Sequence, residues 1–255
     1  MISGGAALDQ RLARIFWAAG IPVLEGYSLT ETSPVIAVNN FEPNSLRFGT
    51  VGPVIKNVEV KFAEDGEILV KGPNVMKGYY NRSDATAEVI DSEGWFHTGD
   101  IGTLVENRFL KITDRKKEIF KTTGGKYIAP QHLENLLKNS RFIEQSMTVG
   151  DNRKYPTALI VPAFPFVRDW AKRKGIEIGP TNEDLANHPA VIKRINEAVE
   201  KLNAGLAQYE RIKKITLLPK VWTIESGELT PKLSLKRKVI LQQNEAAIEK
   251  MYLEN

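Results

Sequence analysis

The sequence predicts an α/β segment that runs into a small β subdomain and is followed by a small α+β domain. Three observations carry this expectation. Residues 1–43 join a helical run to a short apolar strand, residues 44–113 break into short alternating runs divided by turn residues, and residues 118–255 mix helical and strand periods. Charge changes with texture: residues 1–113 hold 10 Lys and Arg against 14 Asp and Glu, and 114–255 hold 25 against 17, so the two halves carry −4 and +8. The basic half favours an anionic ligand or a polyphosphate.

At 255 residues, 42% hydrophobic and 26% charged, the chain is expected to fold as one large or two medium domains. It has no cysteine, and His97, His132 and His188 lack ligand spacing, so no structural zinc is expected. No run of about eighteen apolar residues occurs, and MISGGAALDQ lacks the regions of a signal peptide, which favours a cytoplasmic chain. The lysines interleave with acids, as in RKKE and KRKGIE, and no reader motif is present; no nucleic-acid partner is expected.

In order along the chain, LDQRLARIFWAAG spaces Leu8, Leu12, Ile15, Phe16 and Ala19 on one helix face, with Gly20 as the stop. IPVLEGYSLTET reads as a short buried strand entering a polar loop. VEVKF, AEDG and EILVKG make a hairpin, and GTLVENRFLKI makes a second that turns at Glu106, Asn107 and Arg108. Pro130 stands at a first helical turn ahead of HLENLLKN; QSMTVG and TALIVP read as strands. FVRDWAKRKG and PAVIKRINEAVEKLNAGLAQ read as amphipathic helices, and KRKVILQQNEAAIEKMYLEN as one more helix.

Three stretches concentrate chemistry. GYSLTETSP (26–34) gathers Tyr27, several hydroxyls and Glu31 after a strand; such groups can stack on a base, hold a phosphate or hold Mg²⁺, and equally can cap the next element. GWFHTGDIG (94–102) sets Asp100 between glycines, where it suits a ribose diol or a plain turn. TDRKKEIFKTTGGKYIAP (113–130) lies at the seam between the acidic and basic halves, the usual place for a hinge. Its Gly124 and Gly125 admit either a tight turn or the close approach of a ligand.

Taken together and in this order, these stretches and ELTPKLSLKRKVI resemble the core motifs of the adenylate-forming acyl-CoA synthetases, and within them the long-chain fatty acid–CoA ligases. The likeness covers essentially the whole chain. It implies that residues 1–113 are the end of the large AMP-binding domain (an α/β end over 1–43 and a β subdomain over 44–113), that 114–117 are the hinge, and that 118–255 are the mobile C-terminal domain. The implied substrates are ATP with Mg²⁺, a fatty acid and coenzyme A: the carboxylate is adenylated to acyl-AMP, and the thiol then displaces AMP. The C-terminal domain turns between the two steps. The fatty acid also implies peripheral contact with a membrane surface.

Residue by residue, the resemblance implies that Gly4, Gly5 and Ala6 of SGGA border the acyl and adenine pockets. In the next motif, Gly26 and Tyr27 meet adenine, Thr30 meets phosphate, and Glu31 holds Mg²⁺. Asp100 takes the ribose hydroxyls, with Ile112 and Arg115 flanking them; Lys117 is the hinge residue, and Gly124 and Gly125 border the pantetheine channel. Lys236 is the match to the lysine that enters the first active site, although Leu235 stands where many relatives have Gly, and Lys232 and Lys238 compete for the role. No GxxxxGK segment occurs anywhere. The family's phosphate loop belongs upstream of SGGA, so the chain is expected to be incomplete and inactive alone. The rival reading is a binding module with a ligase fold and no chemistry, which would not need Tyr27, Thr30, Glu31, Asp100, Arg115 and Lys236.

Overall fold

The computed structural model describes residues 1–5 and 8–253, which form two compact units, Met1–Glu118 and Ile119–Asn255. In the first unit, β1 (Ile2–Ser3) pairs in parallel with β2 (Leu24–Ser28), which pairs antiparallel with β3 (Val35–Val38). Helix α1 (Gln10–Ala18) connects β1 to β2, and the Asp9 carboxylate caps it by accepting the Leu12 N–H at 2.9 Å. The spacing of α1 marks an apolar face, but Leu12, Ile15 and Phe16 are 48%, 50% and 39% exposed, while Ala13 is fully buried. Periodicity shows which face is apolar; whether it is covered depends on what packs there, and here the helix is seated through Ala13 and Trp17, whose ring lies between Phe41 and Phe48.

Both expected hairpins form. β4 (Glu59–Phe62), β5 (Glu67–Lys71), β6 (Phe96–Val105) and β7 (Phe109–Arg115) make an antiparallel meander, interrupted by α2 (Ser83–Val89), which no apolar period marks. The turn at Glu106 and Asn107 places both residues at positive φ. Residues 51–55 join the two sheets of this unit: the Val51 N–H donates to the Leu110 carbonyl, and the Val38 N–H to the Pro53 carbonyl. Tyr27, Ile36, Ala37, Ile68, Val70 and Leu110 form the core beneath them.

Gly52 lies in that joint at φ +88°, where a Cβ would stand 2.1 Å from the Asn39 nitrogen. Gly52→Ala is expected to destabilise the first unit by about 2–5 kcal/mol, combining left-handed strain and overpacking. Gly20→Ala, at φ +76° with open space around the added carbon, should cost about 1–2 kcal/mol. Urea unfolding of both variants checks the ordering.

In the second unit, β8 (Phe120–Lys121) and β9 (Tyr127–Ile128) form a short hairpin leading into α3 (Pro130–Leu137), which starts with proline as its sequence suggests. β10 (Ile143–Val149) pairs antiparallel with β11 (Thr157–Pro162). After α4 (Phe164–Arg173), α5 (Asn182–Asn187) and α6 (Pro189–Asn203), the chain returns as β12 (Lys214–Leu217), parallel to β11. All six residues of the central strand β11 are buried, which is why TALIVP has no polar alternation.

The C-terminal stretch is two helices rather than one: α7 (Arg237–Gln243) and α8 (Glu245–Leu253). Asn244 breaks the run, its side-chain amide donating to the Ile240 carbonyl at 2.8 Å while its backbone leaves the helical region. Ile240, Ile248 and Met251 then close the core around β10 and β11.

Candidate functional site

In the first unit, three separated stretches meet at one carboxylate. Asp100 lies inside β6, not in a turn, because the Gly-flanked segment extends along β7 and pairs Asp100 directly with Arg115. It is 4% exposed. Tyr27, at the irregularity that ends regular β2–β3 pairing, donates its hydroxyl to Asp100 Oδ2 at 2.6 Å, and Arg115 Nε lies 3.2 Å from Oδ1. Thr98 helps hold the strand: its hydroxyl donates to the Ile68 carbonyl and accepts the Asp100 N–H.

Burial lifts the Asp100 carboxyl above the usual carboxylate range; Tyr27 and Arg115 oppose that rise, while Glu67 and Glu118 add to it. Burial, and then Asp100 itself, push the Tyr27 phenol up as well, so it stays a hydrogen-bond donor at neutral pH. Each carboxylate oxygen has more than one lone-pair direction, so Asp100 can accept further hydroxyls without releasing Tyr27 or Arg115. In hydrogen-bonding capacity such a carboxylate is matched to hydroxyl donors. Ile112, half-buried on β7 opposite Gly102, packs against the core cluster that includes Tyr27.

The glycine-rich start also reaches this region. β1 pairs with β2, and the position of a Cβ on Gly4 lies 3.7 Å from the Gly26 carbonyl; Gly5 follows at φ +81°. Ala6 lies outside the described residues. After β2, Thr30–Thr32 form a single 3₁₀ turn that leaves Thr30 exposed, whereas Thr32 is fully buried with its hydroxyl donated to the Pro34 carbonyl. Glu31 is half-buried; Oε1 accepts the Tyr79 hydroxyl at 3.0 Å, and its carbonyl accepts the Met76 N–H.

No cluster of three or more metal-binding side chains exists among the described residues. One carboxylate suits Mg²⁺ only where waters and ligand phosphates complete the coordination, and Glu31 fits that donor set. An open cavity of about 380 Å³, lined by residues including Arg14, Arg47, Phe48 and Lys111, contains none of these site residues.

Lys117 is exposed, one residue before the end of the first unit. In the second unit, Gly124 and Gly125 occupy the exposed β8–β9 turn, Gly125 at φ +77° with its N–H donating to the Thr122 carbonyl. Lys236 is exposed at the N-cap of α7, and its N–H donates to the Glu228 carbonyl at 2.7 Å. Lys232 and Lys238 are exposed too. Next to Lys236, Arg237 makes a two-pronged ion pair with the buried Glu134 of α3, at 2.7 and 2.8 Å.

Sequence reasoning missed Tyr79, Glu67 and the Glu134–Arg237 pair. Its only available signals were the aromatic pair in KGYYN, the carboxylate that opens the otherwise apolar strand EILV, and the acid in HLENLL.

The AMP-binding enzyme family matches residues 1–80, and the AMP-binding enzyme C-terminal domain matches residues 117–255. Long-chain-fatty-acid–CoA ligase FadD15 of Mycobacterium bovis is 40% identical over 251 residues, spanning 98% of this chain and 41% of that protein. Human long-chain-fatty-acid–CoA ligase 1 is 36% identical over 267 residues, spanning 99% and 38%. The chain thus spans about two fifths of the length of these relatives. Among solved structures, O-succinylbenzoate coenzyme A synthetase of Bacillus subtilis in complex with AMP superposes with a TM-score of 0.69 at 25% identity, over 93% of this chain and 44% of that one. The adenylation domain of a Mycobacterium chelonae carboxylate reductase shares the fold, with a TM-score of 0.76 at 22% identity, over 99% and 38%. With residues 117–255, more than half of the chain, matched by the AMP-binding enzyme C-terminal domain and residues 1–80 by the AMP-binding enzyme model, the chain belongs to the AMP-binding enzyme family.

Proposed function

We propose that this chain is the C-terminal portion of an ATP-dependent long-chain fatty acid–CoA ligase. The observation that carries the reading is the linkage of Tyr27, Asp100 and Arg115 through one buried carboxylate. That carboxylate, already held by a phenol and a guanidinium from distant stretches, keeps lone-pair capacity for the hydroxyls of a ligand. The long-chain character follows from the names of the curated relatives.

In this reading, Asp100 accepts the ribose hydroxyls, Arg115 offers planar donors beside it, and Tyr27 borders adenine. Thr30 donates to the α-phosphate, and Lys236 brings a cation to the charge that develops as the fatty-acid carboxylate attacks phosphorus and pyrophosphate leaves. Mg²⁺ held by Glu31 would neutralise phosphate charge. In the second step the coenzyme A thiol attacks the acyl carbonyl and AMP departs, with Gly124 and Gly125 bordering the thiol's path. The segment 114–117 serves as the hinge between the two domains, with Lys117 as the pivot.

The phosphate loop and most of the acyl pocket belong to an upstream portion of the intact enzyme. The reading includes a cytoplasmic enzyme with peripheral membrane contact for the acyl substrate. No helix among the described residues is long and apolar enough to cross a membrane.

Calorimetric titration of the chain with AMP tests the site. AMP should bind, and Asp100→Ala should weaken it about 10- to 100-fold, the range for losing hydrogen bonds to a charged group. Equal affinity in both proteins would remove Asp100 from the site.

A further inference from the structure

Glu67 is 4% exposed and opens β5, yet its carboxylate serves residues well beyond that strand. Oε1 accepts the Gly99 N–H at 2.9 Å, immediately before Asp100. Oε2 lies 2.8 Å from Lys116 Nζ and 3.2 Å from His97 Nδ1. Lys116 is held again by Asp65 of the β4–β5 turn, at 2.7 Å, and by its own N–H, which donates to the Gly99 carbonyl at 2.8 Å. Lys116 keeps 45% of its side chain in solvent while held in this way, and Lys117, exposed too, follows it.

Charge and burial make this a strong clamp for its size. Burial alone would lift Glu67, but Lys116, His97 and the Gly99 N–H together hold its carboxyl below the usual carboxylate range. The ammonium of Lys116 is raised in turn by Asp65 and then Glu67. Asp65 is half exposed and screened by water, whereas Glu67 is not.

We infer that Glu67 is a positioning residue that fastens both the Gly99–Asp100 segment and Lys116, so that hinge rotation starts at Lys117 and cannot spread back into the ribose site. The inference rests on Asp100 as the ribose acceptor and Lys117 as the pivot. Its physical basis is separate: one buried anion ties two backbone segments whose side chains, Asp100 and Arg115, must stay in register while the chain just beyond them turns.

The test uses the purified chain, with trypsin cleavage after Lys116 and after Lys117 resolved by mass spectrometry. A lysine whose ammonium and backbone are both tied enters a protease poorly. In the native chain, cleavage after Lys116 should be about tenfold slower than after Lys117. Glu67→Gln, which keeps an acceptor for the Gly99 N–H and removes the charge, should erase that difference, with the urea midpoint measured in parallel and cleavage compared at all lysines to separate local release from global unfolding. Asp65→Asn should change it about twofold. Cleavage after Lys116 that is unchanged in Glu67→Gln, or raised equally at all lysines, would overturn the inference. AMP titration separates the two levels: absence of AMP binding to the native chain removes the nucleotide reading, while the cleavage pattern still decides whether Lys116 is anchored. If AMP binds, Glu67→Gln should weaken it several-fold, and unchanged affinity would remove the link to Asp100.

Discussion

Lys236→Ala, in the chain joined behind the upstream portion of a longer relative, is expected to slow fatty acid-dependent pyrophosphate release about 100- to 1,000-fold, the loss typical of removing one preorganised charge-stabilising group. Thioester formation from supplied acyl-AMP should change far less, because the role proposed for the lysine belongs to the first step. The structure favours a defined position for this lysine: its N–H is tied to the Glu228 carbonyl, and its neighbour Arg237 is clamped to α3. Lys232 follows Pro231 in a loop that places Leu233 at positive φ, and Lys238 lies within α7. Parallel alanine variants at both positions discriminate. A large loss at Lys232 with none at Lys236 would move the catalytic role into that loop.

Glu134→Ala is expected to destabilise the second unit by about 3–5 kcal/mol, the range for breaking a buried ion pair from one side. Glu134 is 5% exposed and accepts both Arg237 nitrogens, and it also accepts the Thr148 N–H at 2.7 Å. The clamp therefore ties α3, β10 and the start of α7 together. Replacing both partners, Glu134→Leu with Arg237→Met, should recover part of the loss, because two charges no longer need satisfaction while the Thr148 N–H still lacks its acceptor. Urea unfolding followed by Trp170 and Trp222, both in this unit, measures it. A loss below about 1 kcal/mol in the single variant would show that the pair behaves like an exposed salt bridge.

Much of the local structure was legible. The hairpins could be read because turn residues and two-residue alternation are local signals, and α3 began at Pro130 because a proline there sacrifices no helical hydrogen bond. The order of motifs identified the family from GYSLTETSP to ELTPKLSLKRKVI. Asp100 was legible as a functional candidate, but not as a strand residue, since its flanking glycines suggest a turn until β7 is laid beside it. The single C-terminal helix failed at Asn244, where the side chain competes with the backbone for the Ile240 carbonyl.

By itself the sequence determined the kinds of element, their order, and the residue types available to hold a nucleotide, because dihedral preferences and apolar periods act over a few residues. Only the tertiary structure decided which of those residues touch. Tyr27 meets Asp100 across 73 positions, Lys116 meets Glu67 across 49, and Arg237 meets Glu134 across 103. Each bond depends on strand register and helix packing that bring a buried carboxylate to a distant donor, and an unpaired charge there would be costly. The same packing left Leu12, Ile15 and Phe16 of α1 exposed, although their spacing alone marks them as a face that seeks cover.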